Sequence, residues 1–404
     1  MEKTKADKGR REFFKKGIAG LVILPAVVKN SLKADEPKTT SSKIIYRTLG
    51  KTGLKLPIVS MGVMNADNPN LVKSALDAGI VHLDTAHGYQ QGRNEEMIGQ
   101  VIKDRPRDSY VLATKVPADH QDRKTGFFTD KTMPAPFIEK FETSLKRLGL
   151  EYVDILYLHS VVKKEAVLFE PLLNAMQKLK KSGKTRFIGV STHRNEPEVI
   201  RAATDSGVHD VVLTAYNFKQ PHVKEMDAAI EYAAKAGIGI IAMKTQAGVF
   251  WDKERQHQIN MKAALKWALS NKNVHTAIPG FTTFDQMNLD LSVMEDLTLS
   301  PEEKEDLSLG NEMGLNGLYC QQCGECESQC RKSLDIPTIM RSYMYAYGYK
   351  NFNTARETLL SAEKTHHFCQ DCDTCSVTCS LGFNVKDRIT DIARIKNIPS
   401  DFLA

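Results

Sequence analysis

From Lys43 to about Leu309 short, largely apolar β-rich runs alternate with longer amphipathic stretches, the rhythm of parallel strands joined by crossover helices. Eight runs read as strands: residues 57–63, 81–86, 110–116, 153–160, 186–192, 210–217, 237–244 and 273–280. Most are near-continuous in apolar residues rather than strictly alternating, as expected of strands buried on both faces. Stretches such as 70–78, 135–148, 170–181, 223–236 and 261–270 carry helical periodicity. Several stop near a glycine able to take a left-handed cap: Gly79, Gly149, Gly183, Gly207 and Gly237. Eight strands with eight connections in roughly 250 residues is the arithmetic of an α/β (β/α)8 TIM barrel. An open doubly wound sheet is the alternative, but no G-x-G-x-x-G follows the first strand.

Beyond Pro301 the pattern changes to cysteine-rich turns and helical stretches at 337–347, 353–362 and 385–395, with strand signals nearly absent. A small, mostly helical second domain over 310–404 is therefore expected, following a barrel over 43–309. A chain of 404 residues, 42% hydrophobic and 26% charged, has room for one large core and a smaller appendage.

The net charge of +6 changes this picture only through its location. Residues 1–34 hold nine Lys or Arg against three acids, and the remainder holds 46 of each sign, so no overall basic excess argues for nucleic acid. In that leader Arg10-Arg11-Glu12-Phe13-Phe14-Lys15 runs into a weakly apolar stretch, 17–28, which at twelve residues is too short to span a bilayer. The segment resembles a twin-arginine export signal, departing from the usual pattern at Gly9 and Phe14, with a weak cleavage site at Leu32-Lys33-Ala34. The expectation is an export signal over 1–34, a linker over 35–42 and a periplasmic mature chain without a membrane span. The alternative is a cytoplasmic protein with a basic tail.

All eight cysteines lie in the last ninety-five residues. Cys320, Cys323, Cys326 and Cys330 are spaced C-x2-C-x2-C-x3-C, and Cys369, Cys372, Cys375 and Cys379 repeat that spacing forty-nine residues later. Three thiolates at two-residue gaps let one tight loop wrap three corners of a cubane, while the fourth starts the next helix and points elsewhere. Structural zinc usually takes its ligands as two pairs and leaves the repeated run of four unexplained. Disulfides gain from the export signal, but their spacing need not repeat. The runs resemble two-cluster ferredoxins, in which the fourth cysteine ligates the other cluster, except that Arg331 and Ser380 stand where proline is usual. The resemblance implies two [4Fe-4S] clusters, one on Cys320, Cys323, Cys326 and Cys379, the other on Cys369, Cys372, Cys375 and Cys330.

In such a barrel the chemistry sits at the C-terminal ends of the strands. The second run ends at Asp84 with Tyr89 in the following loop, the third ends Ala113-Thr114-Lys115, and the fourth ends Leu158-His159. A tyrosine is a poor acid near neutrality, with an unperturbed pKa of about 10. An ammonium beside it stabilises the phenolate, and a carboxylate fixes the ammonium. Asp84, Lys115 and Tyr89 supply that chain, and His159 can orient a bound carbonyl or share its proton. Alone, a strand-end Asp or Lys is a structural ion pair and a lone His a satisfied loop residue. Four at adjacent strand ends point to a site.

The combination resembles the aldo/keto reductases over about residues 43–300. Tyr46-Arg47, Leu49-Gly50, Thr52-Gly53-Leu54, Leu148-Gly149-Leu150-Glu151-Tyr152-Val153-Asp154 and Gly183-Lys184 leading to Ile188-Gly189-Val190-Ser191 also match that family. The resemblance implies hydride transfer between a nicotinamide nucleotide and a small carbonyl or alcohol substrate, with Tyr89 as general acid or base. It places Ser191 at the nicotinamide carboxamide, with Thr192 replacing the commoner asparagine and Leu213 a frequent glutamine. It puts Met243 in the position of a ring that stacks on the nicotinamide. Lys244 either meets the pyrophosphate or is a surface lysine. After the eighth run, Ile278-Pro279-Gly280-Phe281 lacks the Lys-Ser that holds a 2′-phosphate, and Gln286 stands in place of arginine. Losing both cations weakens discrimination of NADP from NAD. Three roles for the cysteines are open: a relay to or from a redox partner protein, a structural role beside ordinary nucleotide-dependent reduction, or an electron-transfer module whose barrel only docks a partner. The intact tetrad argues against the last.

Overall fold

The structure is a computed structural model that describes residues 44–122, 125–315, 317–362, 368–369, 372, 374–399 and 402. The expected export signal and the 35–42 linker lie outside the described residues. Lys43–Ala404 forms one compact unit.

Two short strands, β1 (Tyr46–Thr48) and β2 (Lys55–Pro57), pair antiparallel ahead of the barrel. Pro57 therefore belongs to this hairpin, and the first barrel segment starts at Val59 rather than at Pro57. The hairpin turns through Gly53 at φ +74° and seals the N-terminal end of the barrel with buried Leu49, Leu54 and Leu56.

The barrel strands are β3 (Met61–Gly62), β4 (His82–Asp84), β5 (Val111–Val116), β6 (Val153–Leu158), β7 (Thr185–Thr192), β8 (Val211–Ala215), β9 (Gly239–Met243) and β10 (Thr276–Ala277). They pair in chain order and all are parallel. A parallel bridge between Val59 and Ala277 closes the ring, with Ser60 N donating to Ala277 O at 2.8 Å and Gly62 N to Pro279 O at 3.0 Å. Every strand is followed by a helix: Pro69–Asp77, Arg93–Ile102, Pro134–Leu148, Glu170–Lys181, Glu196–Asp205, Val223–Lys235, Met261–Ser270 and Phe284–Leu291. Inward residues such as Ala113, Ile155, Tyr157, Leu213, Ile241 and Met243 fill the bore, while outward residues pack under the helices. Burial on both faces is why the runs read as continuous apolar segments.

A helix at Pro301–Glu312 runs through the expected domain junction. Ser300 and Glu303 cap it reciprocally, and Glu303 also pairs with Lys266 at 3.0 Å, holding the helix against Met261–Ser270. Helices Ile336–Tyr347, Phe352–Ser361 and Val385–Ala393 then pack on a shared core of Leu334, Ile339, Met340, Tyr343, Leu359 and Ile389. This segment is seated on the barrel by Arg194–Glu327 at 3.6 Å, Arg93–Glu357 at 3.9 Å and Lys253–Asp391. Among the described residues no helix is long and apolar enough to cross a membrane.

Candidate active site and the cysteine cavities

The end of β4 delivers Asp84 and the neighbouring β5 delivers Lys115, both buried. Lys115 Nζ lies 2.5 Å from Asp84 Oδ1 and donates to Thr85 O at 2.7 Å and to Tyr89 Oη at 3.0 Å. Burial disfavours the ammonium, but Asp84 and Tyr89 more than offset it, leaving the Lys115 pKa above its ordinary value. The Tyr89 ring meets His159 edge-on, with centroids 6.2 Å apart. His159 is held down to about 3 by burial, with Lys115 and Arg341 adding to the effect, so its imidazole is neutral at physiological pH. The structure thus brings all four tetrad residues together.

Neighbours that the sequence did not single out position them. Gln90 and Gln91 take left-handed φ of +49° and +58°, and Gln90 Nε2 donates to Met64 O at 3.0 Å, anchoring the loop that carries Tyr89. Behind the strand ends Thr85 Oγ1 donates to Asn94, Thr114 Oγ1 donates to Glu95, and Arg147 pairs with Glu95 at 3.2 Å. The first turns of helix Arg93–Ile102 therefore support the strands bearing Asp84 and Lys115.

The nucleotide-site candidates divide into two groups. Ser191 Oγ, at the end of β7, accepts from Ser160 N at 2.9 Å, and Thr192 Oγ1 donates to Arg194 O within its own loop. Met243 ends β9 and, like Leu213, is buried within the bore. Lys244 follows at φ +56° over the Tyr319 ring, 5.5 Å from its centroid, so it is covered by the C-terminal segment rather than lying on the surface. Burial, helped by Arg341, lowers its pKa to about 8. Gly280 is exposed past β10, and half-buried Gln286 accepts from Thr282 N at 2.8 Å, folding back on its own loop.

One buried acid near this rim escaped the sequence. Asp290 accepts from Gln246 Nε2 at 3.0 Å, and burial pushes its carboxyl up to about 8. Because the folded pKa lies above the ordinary 3.8, the stability that neutral Asp290 contributes is complete below about pH 4 and is lost as pH rises to about 8. Each pH unit in that window removes up to about 1.4 kcal/mol. Asp290→Asn should flatten the fall of melting temperature with pH between these limits. Parallel wild-type and variant curves would show Asp290 ionised throughout.

Two cavities sit among the C-terminal helices. Cys320, Cys323, Cys326 and Cys379 line one, beside Met340, Leu381 and Phe383. Cys330, Cys369, Cys372 and Cys375 line the other, and Ile336 and Val385 border both. The fourth cysteine of each run therefore faces the other run. Gln329 fixes this crossing: its Oε1 accepts from Thr378 N at 2.7 Å, and its carbonyl accepts from Ser376 Oγ at 2.7 Å. All eight thiols are free. Burial pushes Cys320 up to about 11, Cys326 to about 12 and Cys369 to about 11, so thiolates here require compensating positive charge. Among the described residues no three His, Cys, Asp or Glu side chains converge on a single metal ion. The sulfurs instead surround apolar voids, which suits a four-iron cage with a cysteine at each corner.

Residues 60–263, just over half of the chain, match the aldo/keto reductase family, and the chain belongs to it. Its members are oxidoreductases acting on carbonyl and alcohol groups. The chain is 28% identical over 310 residues to L-galactose dehydrogenase of Arabidopsis thaliana, covering 66% of this chain and 93% of that one. It is 33% identical over 164 residues to L-glyceraldehyde 3-phosphate reductase of Escherichia coli, covering 37% and 46%. An aldo-keto reductase of Klebsiella pneumoniae solved with NADPH shares the fold at a TM-score of 0.52 and 22% identity, covering 66% of this chain and 95% of that one. The family match ends before the first cysteine.

Proposed function

We propose that this protein transfers hydride between a nicotinamide nucleotide and a carbonyl or alcohol at the barrel mouth. We propose also that two [4Fe-4S] clusters in the cysteine cavities relay electrons between that centre and a partner protein. The observation carrying the first half is Lys115 Nζ set between Asp84 and Tyr89 at 2.5 and 3.0 Å. Because Lys115 donates to the phenol oxygen, the phenol proton is left to pass to a carbonyl oxygen, and in the reverse direction that oxygen takes the proton of the alcohol. Neutral His159 donates a hydrogen bond to the same substrate oxygen and orients it. A bound nicotinamide supplies or accepts the hydride. By the family resemblance Ser191, Met243 and Lys244 would hold it, and the lack of a cation at Gly280 and Gln286 leaves NAD and NADP both open.

The second half rests on the two crossed sets of four thiols in apolar surroundings. Each cluster exchanges one electron at a time, whereas hydride carries two, so coupling requires a flavin or another two-electron carrier, supplied from outside this chain, that takes the hydride and releases single electrons to the clusters. Tyr319, the residue before Cys320, lies beneath Lys244 at 5.5 Å, which supports a first set close to the end of β9. A structural role is favoured instead by Cys326, which is buried in the same core as the three C-terminal helices. The paired arginines of the leader support export in a folded state, with nucleotide and clusters already in place.

Anaerobic purification, iron analysis, EPR and mass spectrometry of whatever dissociates test both halves together. We expect roughly eight iron atoms per chain, a nicotinamide nucleotide, and cluster signals that change when alcohol substrate is added. Signals that stay fixed during turnover would leave the structural role. Protein that neither contains nor binds nucleotide would end the hydride-transfer reading.

A further inference from the structure

Helix Val385–Ala393 begins at the wall between the two cysteine cavities, since Val385 borders both. We infer that Arg388, one turn further along this helix, is the fixed positive charge that raises the reduction potential of the cluster held by Cys320, Cys323, Cys326 and Cys379; this rests on the cluster reading above.

The guanidinium is held from several sides. Its Cζ stands 3.8 Å from the centroid of the Phe383 ring and 5.2 Å from that of Tyr343. Phe383 lines the cavity of Cys320, Cys323, Cys326 and Cys379. Nη2 donates at 3.1 Å to the carbonyl of Gly317, three residues before Cys320. Nη1 is enclosed with no partner among the described residues. The side chain is thus fastened on the side of the first cavity. Lys386, two residues earlier, lines the second cavity and donates to Cys372 O at 2.8 Å, so one helix directs separate cations to separate sets.

An enclosed guanidinium short of a partner costs free energy, and the repeat of the two cysteine runs does not require one here. The runs are offset by forty-nine residues, and Ile336 and Val385, separated by that offset, both border both cavities. The position equivalent to Arg388 is Ile339, buried in the apolar core. A guanidinium in the place of an isoleucine calls for a negative partner. Four thiolates give a bound cluster a net negative charge, and reduction adds one more, so its potential follows the charge around it. A positive charge fixed nearby favours the reduced form, and partial burial leaves little water to screen it. Burial works against the charge of Arg388, while Tyr343, Cys379 and Cys320 favour it, and both cysteines belong to the first set.

The test is an EPR-monitored redox titration of the full-length protein with its clusters, the signals being assigned by comparison with Cys320→Ala and Cys369→Ala. Arg388→Gln keeps a donor for Gly317 O and loses the charge, whereas Arg388→Lys keeps both. We expect Arg388→Gln to lower the reduction equilibrium constant of the first cluster at least roughly tenfold, about 59 mV for one electron, with the second cluster unmoved and the iron content of wild type. Arg388→Lys should keep most of the wild-type potential. In iron-replete protein, a shift in neither cluster, an equal shift in both, or a shift in Arg388→Lys as large as in Arg388→Gln overturns the inference while the clusters stand. If Arg388→Gln loses the iron of the first cluster outright, retention of that iron in Arg388→Lys upholds the inference, and its loss there as well overturns it. Wild-type protein that takes up no iron on anaerobic reconstitution removes the cluster reading itself, and the inference falls with it.

Discussion

Tyr89→Phe is expected to lower kcat for carbonyl reduction by about 10²–10⁴-fold, with nucleotide affinity and the cluster EPR signals unchanged. The substitution deletes one oxygen from the ring. That oxygen is the acceptor of the Lys115 hydrogen bond at 3.0 Å, and Lys115 keeps Asp84 and Thr85 O as partners after its loss. The ammonium is therefore not stranded, and the damage should be confined to proton transfer. His159 cannot take over the role, because burial beside Lys115 and Arg341 keeps it neutral down to about pH 3 and so without a proton suited to general-acid work. Activity within tenfold of wild type would remove Tyr89 as the acid and send the search to another donor at the barrel mouth. A loss accompanied by altered cluster signals would instead point to a structural disturbance spreading into the C-terminal segment.

The barrel was legible because its strands are buried on both faces and its helices on one, and these leave different periods in the sequence. All eight strands occur in the order read, and Pro134–Leu148 ends at Gly149, which takes φ +67°. The hairpin of β1 and β2 was not legible: three-residue strands carry too little alternation, and its second strand runs straight into the first barrel segment. Asp84, Tyr89, Lys115 and His159 could be read because strand ends converge by geometry. Their supports could not. Gln90 holds the Tyr89 loop from a left-handed conformation to which its side chain gives no clue. Asn94 and Glu95 look like ordinary polar residues at the start of a helix. Arg341 reaches the barrel mouth from a helix 182 residues beyond His159 in sequence, a distance no local pattern bridges.

Cys379→Ala should remove the same cluster as Cys320→Ala, and Cys330→Ala the same as Cys369→Ala. The spacing alone is equally compatible with each run of four holding its own cluster. The cavities distinguish the cases, because Cys379 faces Cys320, Cys323 and Cys326 while Cys330 faces Cys369, Cys372 and Cys375. Gln329 and Thr378, each next to a fourth cysteine, bond to one another and fix that exchange. Each single variant should hold roughly four iron atoms per chain in place of roughly eight, and the EPR spectrum of what remains should sort the variants into the two crossed pairs. Identical spectra for Cys379→Ala and Cys369→Ala would mean that the runs act separately. Stability should report the crossing as well. Two self-contained sites could fail independently, but in the crossed arrangement each proposed cluster would tie the segment around Cys320–Cys330 to the segment around Cys369–Cys379. Loss of either one should then lower the melting temperature of the whole C-terminal segment, and loosen its hold on the barrel at Arg194 and Glu327.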